Sequence, residues 1–327
     1  MRNYNNFIIG SDGIQYMFNP KIRNETRLRH LPTTKLTELM FDVPRDAQEF
    51  YKSFGYIRHD RTGEIITELA PYQIELWNHK GSALVIKSQK IGISTSTSIA
   101  DFQHTLLPEG RGKDVLIFCQ NLRASKELIL SLKKKIKAST RYRDFLIEGK
   151  TELLFEEEQT KAFQIQIKNP YNPSEPSRII GLGSSIPSSW SWQKVSRIHM
   201  SDVAQMDMAD ENQDEFFTSV FSRVLITEGD IIIETPPAGQ QGYIWRLYDK
   251  MQKKLAEHDK TIPKFKLFQF DSSMAVEAGV VTEAKLDEEL EVMGPLLFNA
   301  KYNCEFISSG NQYFDVSSLQ MEIYNTI

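Results

Sequence analysis

Hydroxyl residues and a glycine follow an apolar segment in the stretch ALVIKSQKIGISTSTS, residues 83–98. Gly92 can form a tight turn, and Ser94 and Thr95 supply hydroxyls where a helix is expected to begin. The N–H groups at the start of a helix, together with the helix dipole, bind anions such as phosphate, and a hydroxyl at the same place can hold Mg²⁺. The stretch therefore predicts a loop that binds a polyphosphate with a magnesium ion.

The positive charges of this loop precede its glycine. The pattern G-x-x-x-x-G-K-[ST] of phosphate-binding loops places a lysine directly after the last glycine, where this chain has Ile93. Lys90 or Lys87 must then reach back over the loop, which a flexible lysine side chain allows. The alternative is an ordinary strand, turn and helix with a capping hydroxyl, and the loop by itself leaves both interpretations open. The expected phosphate cradle also includes the remaining loop residues: Ser88, Gln89, Ile91 and Ile93.

An aromatic residue and an amide stand upstream of the loop, in ELAPYQIELWNH, residues 68–79. A glutamine amide can pair with both the donor and the acceptor of an adenine edge, and a tyrosine ring can stack on a base. Tyr72 and Gln73 are therefore candidates for base recognition. The alternative is that Gln73 is only the residue at which an amphipathic helix starts.

Polar residues end two apolar runs downstream of the loop. VSRIHMSDVAQM contains Ser201-Asp202, and a carboxylate at the carboxyl end of a buried strand is suited to a metal-linked water or to general-base work. The alternative role for Asp202 is to cap the helix that follows. DIIIETPPAGQQGY ends with Glu234-Thr235-Pro236, where a polar residue near a γ-phosphate can report its loss. The alternative there is a simple turn rich in proline and glycine.

Short apolar runs alternate with helical stretches from residue 83 onward. The helical stretches cover 122–137, 212–222 and 240–256, and the runs read ALVIKS, DVLIFCQ, AFQIQI, RIIGLGS, RIHMSD and DIIIETP. Such runs, bounded by turn residues and separated by helices, indicate parallel strands buried on both faces. The pattern predicts an open α/β sheet, in which ligands bind at the carboxyl ends of the strands.

Two segments depart from this alternation. TELLFEEEQTKAFQIQI, residues 151–167, predicts an inserted β-hairpin. Residues 282–303 predict an acidic helical segment that is broken at Gly294-Pro295 and forms a small subdomain after the sheet. The expected division of the chain is a peripheral segment at 1–64, a core at 65–272 and a helical lid or linker at 273–327.

The composition is that of a globular protein with a full hydrophobic core. Of the 327 residues, 40% are hydrophobic and 25% are charged. The net charge is −4 and the pI is near 6.0, so no overall basic field indicates nucleic acid binding. Two cysteines are too few for a disulfide framework, and no apolar run or leader-like segment indicates a membrane span or secretion. We therefore expect a soluble intracellular protein.

Any contact with DNA must come from a local basic patch, and the strongest is LKKKIKASTRYR, residues 132–143. Its cations are Lys133, Lys134, Lys135, Lys137, Arg141 and Arg143. The alternative for this cluster is the solvated face of a helix.

Four motifs, taken in order, resemble the ATPase domain of the large terminase subunit, the genome-packaging motor of tailed viruses. LAPYQIELW is similar to the adenine-recognition motif of that family, and KSQKIGIST resembles the branch that reads K-A-R-Q-x-G-[IFY]-S-T, with charge moved ahead of the glycine. IHMSDVA is similar to its Walker B motif and IIIETPPAG to its coupling motif. The resemblance covers roughly residues 65–315. It implies a P-loop NTPase core of the ASCE type, with a mainly parallel sheet flanked by helices and a small peripheral or lid subdomain.

The resemblance implies an ATP hydrolase that depends on Mg²⁺. Lys90 or Lys87 would hold the β- and γ-phosphates, and Asp202 would orient the attacking water. The metal would be held by Ser94 or Thr95 in this displaced Walker A loop.

Three further residues take their roles from the same resemblance. Ser201 would lie at the metal side of Walker B, Gln73 would read adenine, and Thr235 would sense the γ-phosphate. Hydrolysis would drive translocation of double-stranded DNA into a procapsid in the host cytoplasm. The expected partners are the DNA, a portal protein, the small terminase subunit and further copies of this chain in a ring.

The chain departs from the family pattern at several positions. Gln89 and Lys90 stand where that branch has arginine and glutamine, and Asp202 replaces the usual glutamate. Many relatives carry an arginine before the acidic residue that acts on a neighbouring subunit's nucleotide, but SSWSWQK, residues 188–194, has none. The nearest cations are Lys194 and Arg197. The nuclease domain of that family begins close to residue 315, so nuclease activity is not expected in this chain.

Two other classes of function remain open. The first is a P-loop scaffold or assembly module that binds partners without hydrolysis. The second is a helicase-like, DNA-dependent ATPase, which needs a second motor domain to close on the nucleotide.

Overall fold

The computed structural model of the chain describes residues 7–9, 15–17, 43–55, 57–58, 63–110, 112–149, 151–155, 160–168, 175–183, 194–206, 210–257 and 265–307. Most of the expected peripheral segment and the end of the expected lid lie outside these ranges. None of the helices within them combines the length and the apolar character needed to cross a lipid bilayer.

Helices and strands alternate along the described ranges. The helices are α1 Ala47–Phe54, α2 Pro71–Asn78, α3 Ile93–Leu106, α4 Leu122–Ala138, α5 Asp210–Ser222, α6 Gly242–Ala256, α7 Ser272–Glu277 and α8 Glu283–Tyr302. The strands are β1 Phe7–Ile9, β2 Gln15–Met17, β3 Ile57–Arg58, β4 Ile65–Ile66, β5 Ser82–Lys87, β6 Asp114–Cys119, β7 Leu146–Ile147, β8 Glu152–Phe155, β9 Thr160–Ile167, β10 Ser177–Leu182, β11 Val195–Ser201, β12 Asp230–Thr235 and β13 Phe265–Phe270.

A nine-stranded sheet organises the described part of the chain. Its order is β13-β5-β12-β11-β6-β10-β9-β7, and β8 pairs with β9. The strands from β13 to β10 run parallel, whereas β9 is antiparallel to β10, β7 and β8. The expected α/β fold with a mainly parallel sheet is therefore confirmed, and so is the inserted hairpin, which is β8–β9.

Both faces of the central strands are buried, and alternate side chains enter different hydrophobic clusters. In β6, Val115 and Ile117 pack with α3 and α4, while Leu116 and Phe118 pack with α5 and α6 on the opposite face. This alternation follows from the period of two along a strand. Because both faces are covered by helices, β5, β6 and β12 are apolar between polar ends, whereas β11 also carries Arg197 and His199 within the strand.

Helix α1 belongs to the hydrophobic core although the sequence placed it in a peripheral segment. Asp46 caps it by accepting a hydrogen bond from the Glu49 N–H, and Phe50 and Phe54 are fully buried. The Phe50 ring lies 5.0 Å from the ring of Tyr142, measured between centroids. The hydrophobic core therefore begins ahead of the boundary expected at residue 64, because this amphipathic helix covers the apolar side of α3.

Replacing Phe50 with alanine is expected to lower the free energy of unfolding by about 3–5 kcal/mol, because the cavity left among surrounding rings cannot collapse fully. Chemical denaturation of the full chain measures this change. Ile65→Ala is the matched control, since its side chain is 54% exposed and its loss should cost less than about 0.5 kcal/mol. Equal stability of the two variants would show that α1 is dispensable.

Two features at the end of the described chain complete the sheet edge. Strand β13, which the sequence did not predict, pairs along the whole of β5, from Ser82 to Lys87. Helix α8 is broken at Gly294, with φ 74° and ψ 164°, so the expected break is confirmed. The Gln89 N–H donates to the Lys301 carbonyl, which ties α8 to the loop that follows β5.

Candidate functional site

The loop between β5 and α3 contains two residues in the left-handed region, Lys90 with φ 61° and Gly92 with φ 80°. A side chain at Gly92 would be strained at this positive φ, and its Cβ would lie 2.7 Å from the Gln73 Nε2 atom, which would have to move. Helix α3 begins directly after this turn, so the N–H groups of its first turn have no partner within the helix. This is the backbone arrangement that binds phosphate at helix N-termini.

Lys87, the last residue of β5, reaches the first turn of α3. Its Nζ atom lies 2.9 Å from Asp202 Oδ1, 2.9 Å from Glu234 Oε2 and 3.4 Å from Ser94 Oγ. Burial alone would lower the pKa of this ammonium, but the carboxylates of Glu234 and Asp202 raise it above the ordinary lysine value. Lys87 is therefore a buried positive charge held beside the hydroxyl of Ser94.

Lys90 takes a different direction. Its side chain is about half exposed, and its Nζ atom lies 3.1 Å from Glu289 Oε1 on α8. The left-handed turn at Lys90 directs this side chain away from α3 and toward α8. The sequence left both lysines open as the phosphate-binding cation. In the structure the Lys87 ammonium lies at the start of α3, and the Lys90 ammonium lies against α8.

The segment expected to read adenine packs against the loop. The Tyr72 ring is buried beside Phe270, at 5.7 Å between centroids, and its hydroxyl donates to the Ile91 carbonyl at 2.9 Å. Tyr72 therefore has no exposed ring face on which a base could stack as expected, because the ring fills the space between α2 and β13. The half-buried Gln73 donates to the same carbonyl at 3.2 Å and accepts from the Ala70 N–H at 2.9 Å.

Ser201 and Asp202 lie at the end of β11, facing the start of α3. The Ser201 hydroxyl is 3.3 Å from the Ser94 hydroxyl. Asp202 has a left-handed φ of 56°, its side chain is 38% exposed, and it makes no capping hydrogen bond to the turn that follows. Burial and the charge of Glu234 raise the pKa of the Asp202 carboxyl, and Lys87 opposes this shift. Asp202 thus presents a partly exposed carboxylate beside the Lys87 ammonium.

Thr235 is buried at the end of β12. Its hydroxyl accepts from the Ala204 N–H at 3.2 Å and donates to the Pro236 carbonyl at 3.0 Å. It therefore joins β12 to the turn that follows Asp202, and its role as a sensor stays a prediction.

Three charged residues beneath the loop were not assigned by the sequence. Glu234, Asp101 and His199 are fully buried, and the two nitrogens of the His199 ring lie 2.7 Å from Asp101 Oδ2 and 3.3 Å from Glu234 Oε1. Burial alone would raise the pKa of Glu234 and lower that of His199, but the opposite charges that each group contacts reverse both shifts. The pKa of Glu234 falls to about 2, with Lys87 the largest cause of the fall. That of His199 rises to about 9. The available signal was a charged residue inside each of the apolar runs RIHMS and IIIET.

The stability of the folded chain is expected to decline as the pH rises from about 6.5 to about 9. His199 holds its proton more tightly in the folded chain than in the unfolded one. Its contribution is therefore complete below pH 6.5 and is lost as the pH passes the folded pKa. The full loss corresponds to about 3 kcal/mol of unfolding free energy. Urea unfolding at several pH values, without added metal, measures it, and a flat profile that His199→Gln does not alter would contradict it.

The residues around the loop fit a polyphosphate with Mg²⁺. The first turn of α3 offers N–H groups that have no partner within the helix, and Lys87 supplies a cation. The hydroxyls of Ser94 and Ser201 and the carboxylate of Asp202 are the oxygen donors that Mg²⁺ prefers. Within the described ranges, no group of three or more His, Cys, Asp or Glu side chains has the arrangement of a metal site.

The other cations considered from the sequence, for a neighbouring subunit's nucleotide or for DNA, lie on the surface or pair with other residues. Lys194 pairs with Glu175, and Arg197 lies 2.9 Å from buried Asp101. In the basic cluster, Lys137 pairs with Glu148, Lys133 donates to the Thr151 hydroxyl, and Arg141 and Arg143 lie beyond the end of α4. Most of the segment at 188–194 lies outside the described residues.

The strand order and the glycine turn are those of the P-loop NTPase fold. Strand β5 leads into the glycine turn, β11 carries Asp202, and β12 is inserted between them. The loop and the acidic residue therefore meet at one edge of the sheet, at the carboxyl ends of parallel strands.

Solved structures with this fold include the ATPase domains of phage large terminases. The ATPase domain of the large terminase of Thermus phage P74-26 superposes with a TM-score of 0.56 at 13% identity, over 81% of this chain and 100% of that domain. The large terminase of bacteriophage HK97 gives a TM-score of 0.57 at 11% identity, over 79% of this chain and 54% of its own. The large terminase of a second thermophilic bacteriophage, in complex with ATP-gamma-S, gives 0.50 at 11% identity, over 73% of this chain and 53% of its own.

These similarities confirm the resemblance at the level of the fold. The chain spans about half the length of the last two of these terminases. No family model matches the sequence, and no curated protein does either.

Proposed function

We propose that this chain is the ATPase motor domain of a viral large terminase subunit, which couples Mg²⁺-dependent ATP hydrolysis to the movement of double-stranded DNA into a procapsid. The observation that carries the proposal is the meeting of Lys87, Ser94 and Asp202 at the glycine turn. The fold shared with terminase ATPase domains supports the same function.

Lys87 binds the β- and γ-phosphates in this proposal. Its ammonium now contacts Asp202 and Glu234, and the phosphates would take the place of Asp202 as its partner. This exchange frees the Asp202 carboxylate to orient the attacking water as a general base. Phosphoryl transfer needs mainly positioning and neutralisation of charge, which these two side chains supply from opposite sides.

The metal is held by oxygen atoms in this proposal. The hydroxyls of Ser94 and Ser201, 3.3 Å apart, would contact it together with Asp202. Mg²⁺ neutralises the charge that develops on the phosphate oxygens when it is bound. Gln73 contacts the loop through the Ile91 carbonyl and would read the adenine edge from there.

The mechanical steps involve partners beyond the nucleotide. Thr235, which joins β12 to the turn after Asp202, would pass loss of the γ-phosphate to the rest of the sheet. The basic face of α4 would contact DNA phosphates, and a ring of copies with a portal protein and a small terminase subunit would form the packaging assembly. Translocation of DNA is the part of the proposal that requires these partners.

The test measures ATP hydrolysis by the chain with and without Mg²⁺, and then with increasing duplex DNA. We expect hydrolysis that requires Mg²⁺ and a DNA affinity that falls steeply with salt, because phosphate contacts release counterions. Lys134→Glu on the basic face should weaken DNA binding and reduce that salt slope by about one.

Two outcomes would favour other functions. Absence of hydrolysis at every protein and DNA concentration would favour a non-hydrolysing scaffold. Unwinding of duplex DNA by this chain alone would favour a helicase-like ATPase.

A further inference from the structure

Six ionisable side chains of alternating charge form a continuous line through the core beneath the glycine loop. In order along the line they are Arg197, Asp101, His199, Glu234, Lys87 and Asp202. They come from α3 and from the central strands β5, β11 and β12, with Asp202 directly after β11. The line ends at the candidate phosphate site.

The contacts from Arg197 to Lys87 are close and lie among buried side chains. Arg197 Nε lies 2.9 Å from Asp101 Oδ1, and Asp101 Oδ2 lies 2.7 Å from His199 Nδ1. His199 Nε2 lies 3.3 Å from Glu234 Oε1, and the other Glu234 oxygen lies 2.9 Å from Lys87 Nζ. Because Asp101, His199 and Glu234 are fully buried, water cannot replace a lost contact.

The His199 ring faces a carboxylate with each nitrogen. A neutral imidazole carries one N–H, so one of the two nitrogens would otherwise turn a lone pair toward a carboxylate. Two N–H groups satisfy Asp101 on one side and Glu234 on the other. The ring therefore fixes the orientation of the Glu234 carboxylate.

The Lys87 ammonium needs neighbouring side chains to hold its position, because Lys87 lies at the end of β5 and not in α3. A lysine that follows the glycine turn is placed by the helix, whereas Lys87 projects from the end of a strand on a flexible four-carbon stem. Its direction is set by the side chains that it contacts, and of the two carboxylates only Glu234 is fully buried and held from behind.

We propose that His199 is a positioning residue of the phosphate site: held by Asp101, it orients Glu234, which in turn holds the Lys87 ammonium at the start of α3. This inference rests on the proposed function and adds to it a residue that touches neither nucleotide nor metal. It also gives a role to a buried charge pair that hydrophobic packing alone does not require.

The test compares His199→Gln with His104→Gln in the full chain. His104 is the matched control, because it is also a buried histidine, bonds only to the Ser196 hydroxyl among the described contacts, and lies outside the line. Calorimetric titration with Mg²⁺ and a non-hydrolysable ATP analogue gives the dissociation constant. We expect His199→Gln to weaken binding about tenfold, as for loss of one charge-assisted contact, and His104→Gln to change it less than about twofold.

A mutant cycle separates positioning from general destabilisation. If His199 acts through Glu234, then Glu234→Gln and the double variant His199→Gln/Glu234→Gln should bind the analogue equally. A structural effect of His199 alone would instead add to the effect of Glu234→Gln. If circular dichroism shows that His199→Gln is unfolded, the isosteric Asp101→Asn carries the same expectation.

The outcomes distinguish this inference from the proposed function. Binding of the analogue by folded His199→Gln or Asp101→Asn as tightly as by the unaltered chain would overturn the positioning role and leave the ATPase proposal intact. Failure of the unaltered chain to bind the analogue would overturn both.

Discussion

Replacing Lys87 with methionine is expected to lower the rate of ATP hydrolysis by about three orders of magnitude, the scale of a cation that neutralises the transferred phosphoryl group. The Lys87 ammonium lies beside Ser94 and Asp202, and methionine keeps most of the length of the lysine side chain without the charge. Steady-state hydrolysis and calorimetric binding of an ATP analogue measure the effect. The hydrolysis rate and the affinity for the analogue should both fall, because the cation contributes to binding as well as to catalysis.

Lys90→Met is the matched control for this substitution. Lys90 belongs to the same loop, but its ammonium pairs with Glu289 on the surface, so hydrolysis should stay within about twofold of the unaltered chain, as for a surface substitution. A large loss for Lys90→Met with none for Lys87→Met would show that the loop rearranges on binding and that Lys90 holds the phosphates.

Lys87→Met should also destabilise the fold, and the experiment must separate this effect from the loss of hydrolysis. Removal of one partner leaves the Glu234 carboxylate buried without its ammonium, which costs about 3–5 kcal/mol. The double variant Lys87→Met/Glu234→Gln removes this unpaired charge. It should regain stability in thermal unfolding without regaining hydrolysis, and recovery of both would show that Lys87 is structural only.

Asp202→Asn is expected to reduce kcat by about two to four orders of magnitude, the contribution of a positioned general base. Affinity for an ATP analogue should be retained or increased, because the substitution removes a negative charge near the phosphates, while Lys87, the two serine hydroxyls and the amide oxygen of asparagine remain for the phosphates and the metal. Rapid-mixing or steady-state assays give kcat, and calorimetry gives the dissociation constant. This separation of catalysis from binding is opposite to the result expected for Lys87.

Asp214→Asn controls for the loss of a carboxylate from the same chain. Asp214 is exposed on α5 and pairs with Arg246, away from the glycine loop, so its loss should leave both kcat and affinity unchanged. Unaltered hydrolysis in Asp202→Asn would mean that Asp202 is not the catalytic carboxylate, and it would favour the scaffold function.

Much of the fold follows from local pattern. Strands β5, β6 and β12 have continuous apolar interiors, and such runs are typical of a parallel sheet covered by helices on both faces. The break of α8 at Gly294 follows from Pro295, which cannot continue a helix without cost. Strand β13 was missed because its burial is interrupted by exposed positions, so its sequence lacks the continuous apolar run of its neighbours.

The positions of Gly92, Ser94, Ser201 and Asp202 were likewise set by the sequence, since a turn before a helix and a polar residue after a buried strand are local properties. Which of Lys87 and Lys90 lies beside Ser94 is decided only by the tertiary structure, because it depends on which carboxylates the folded chain places within reach of each ammonium. The line of charges through His199 is likewise decided only by the tertiary structure. Asp101 and His199 are 98 positions apart in the chain. Their charges are stable in the core only because the order of the strands brings opposite charges together there, and strand order is a property of the folded sheet rather than of any segment within it.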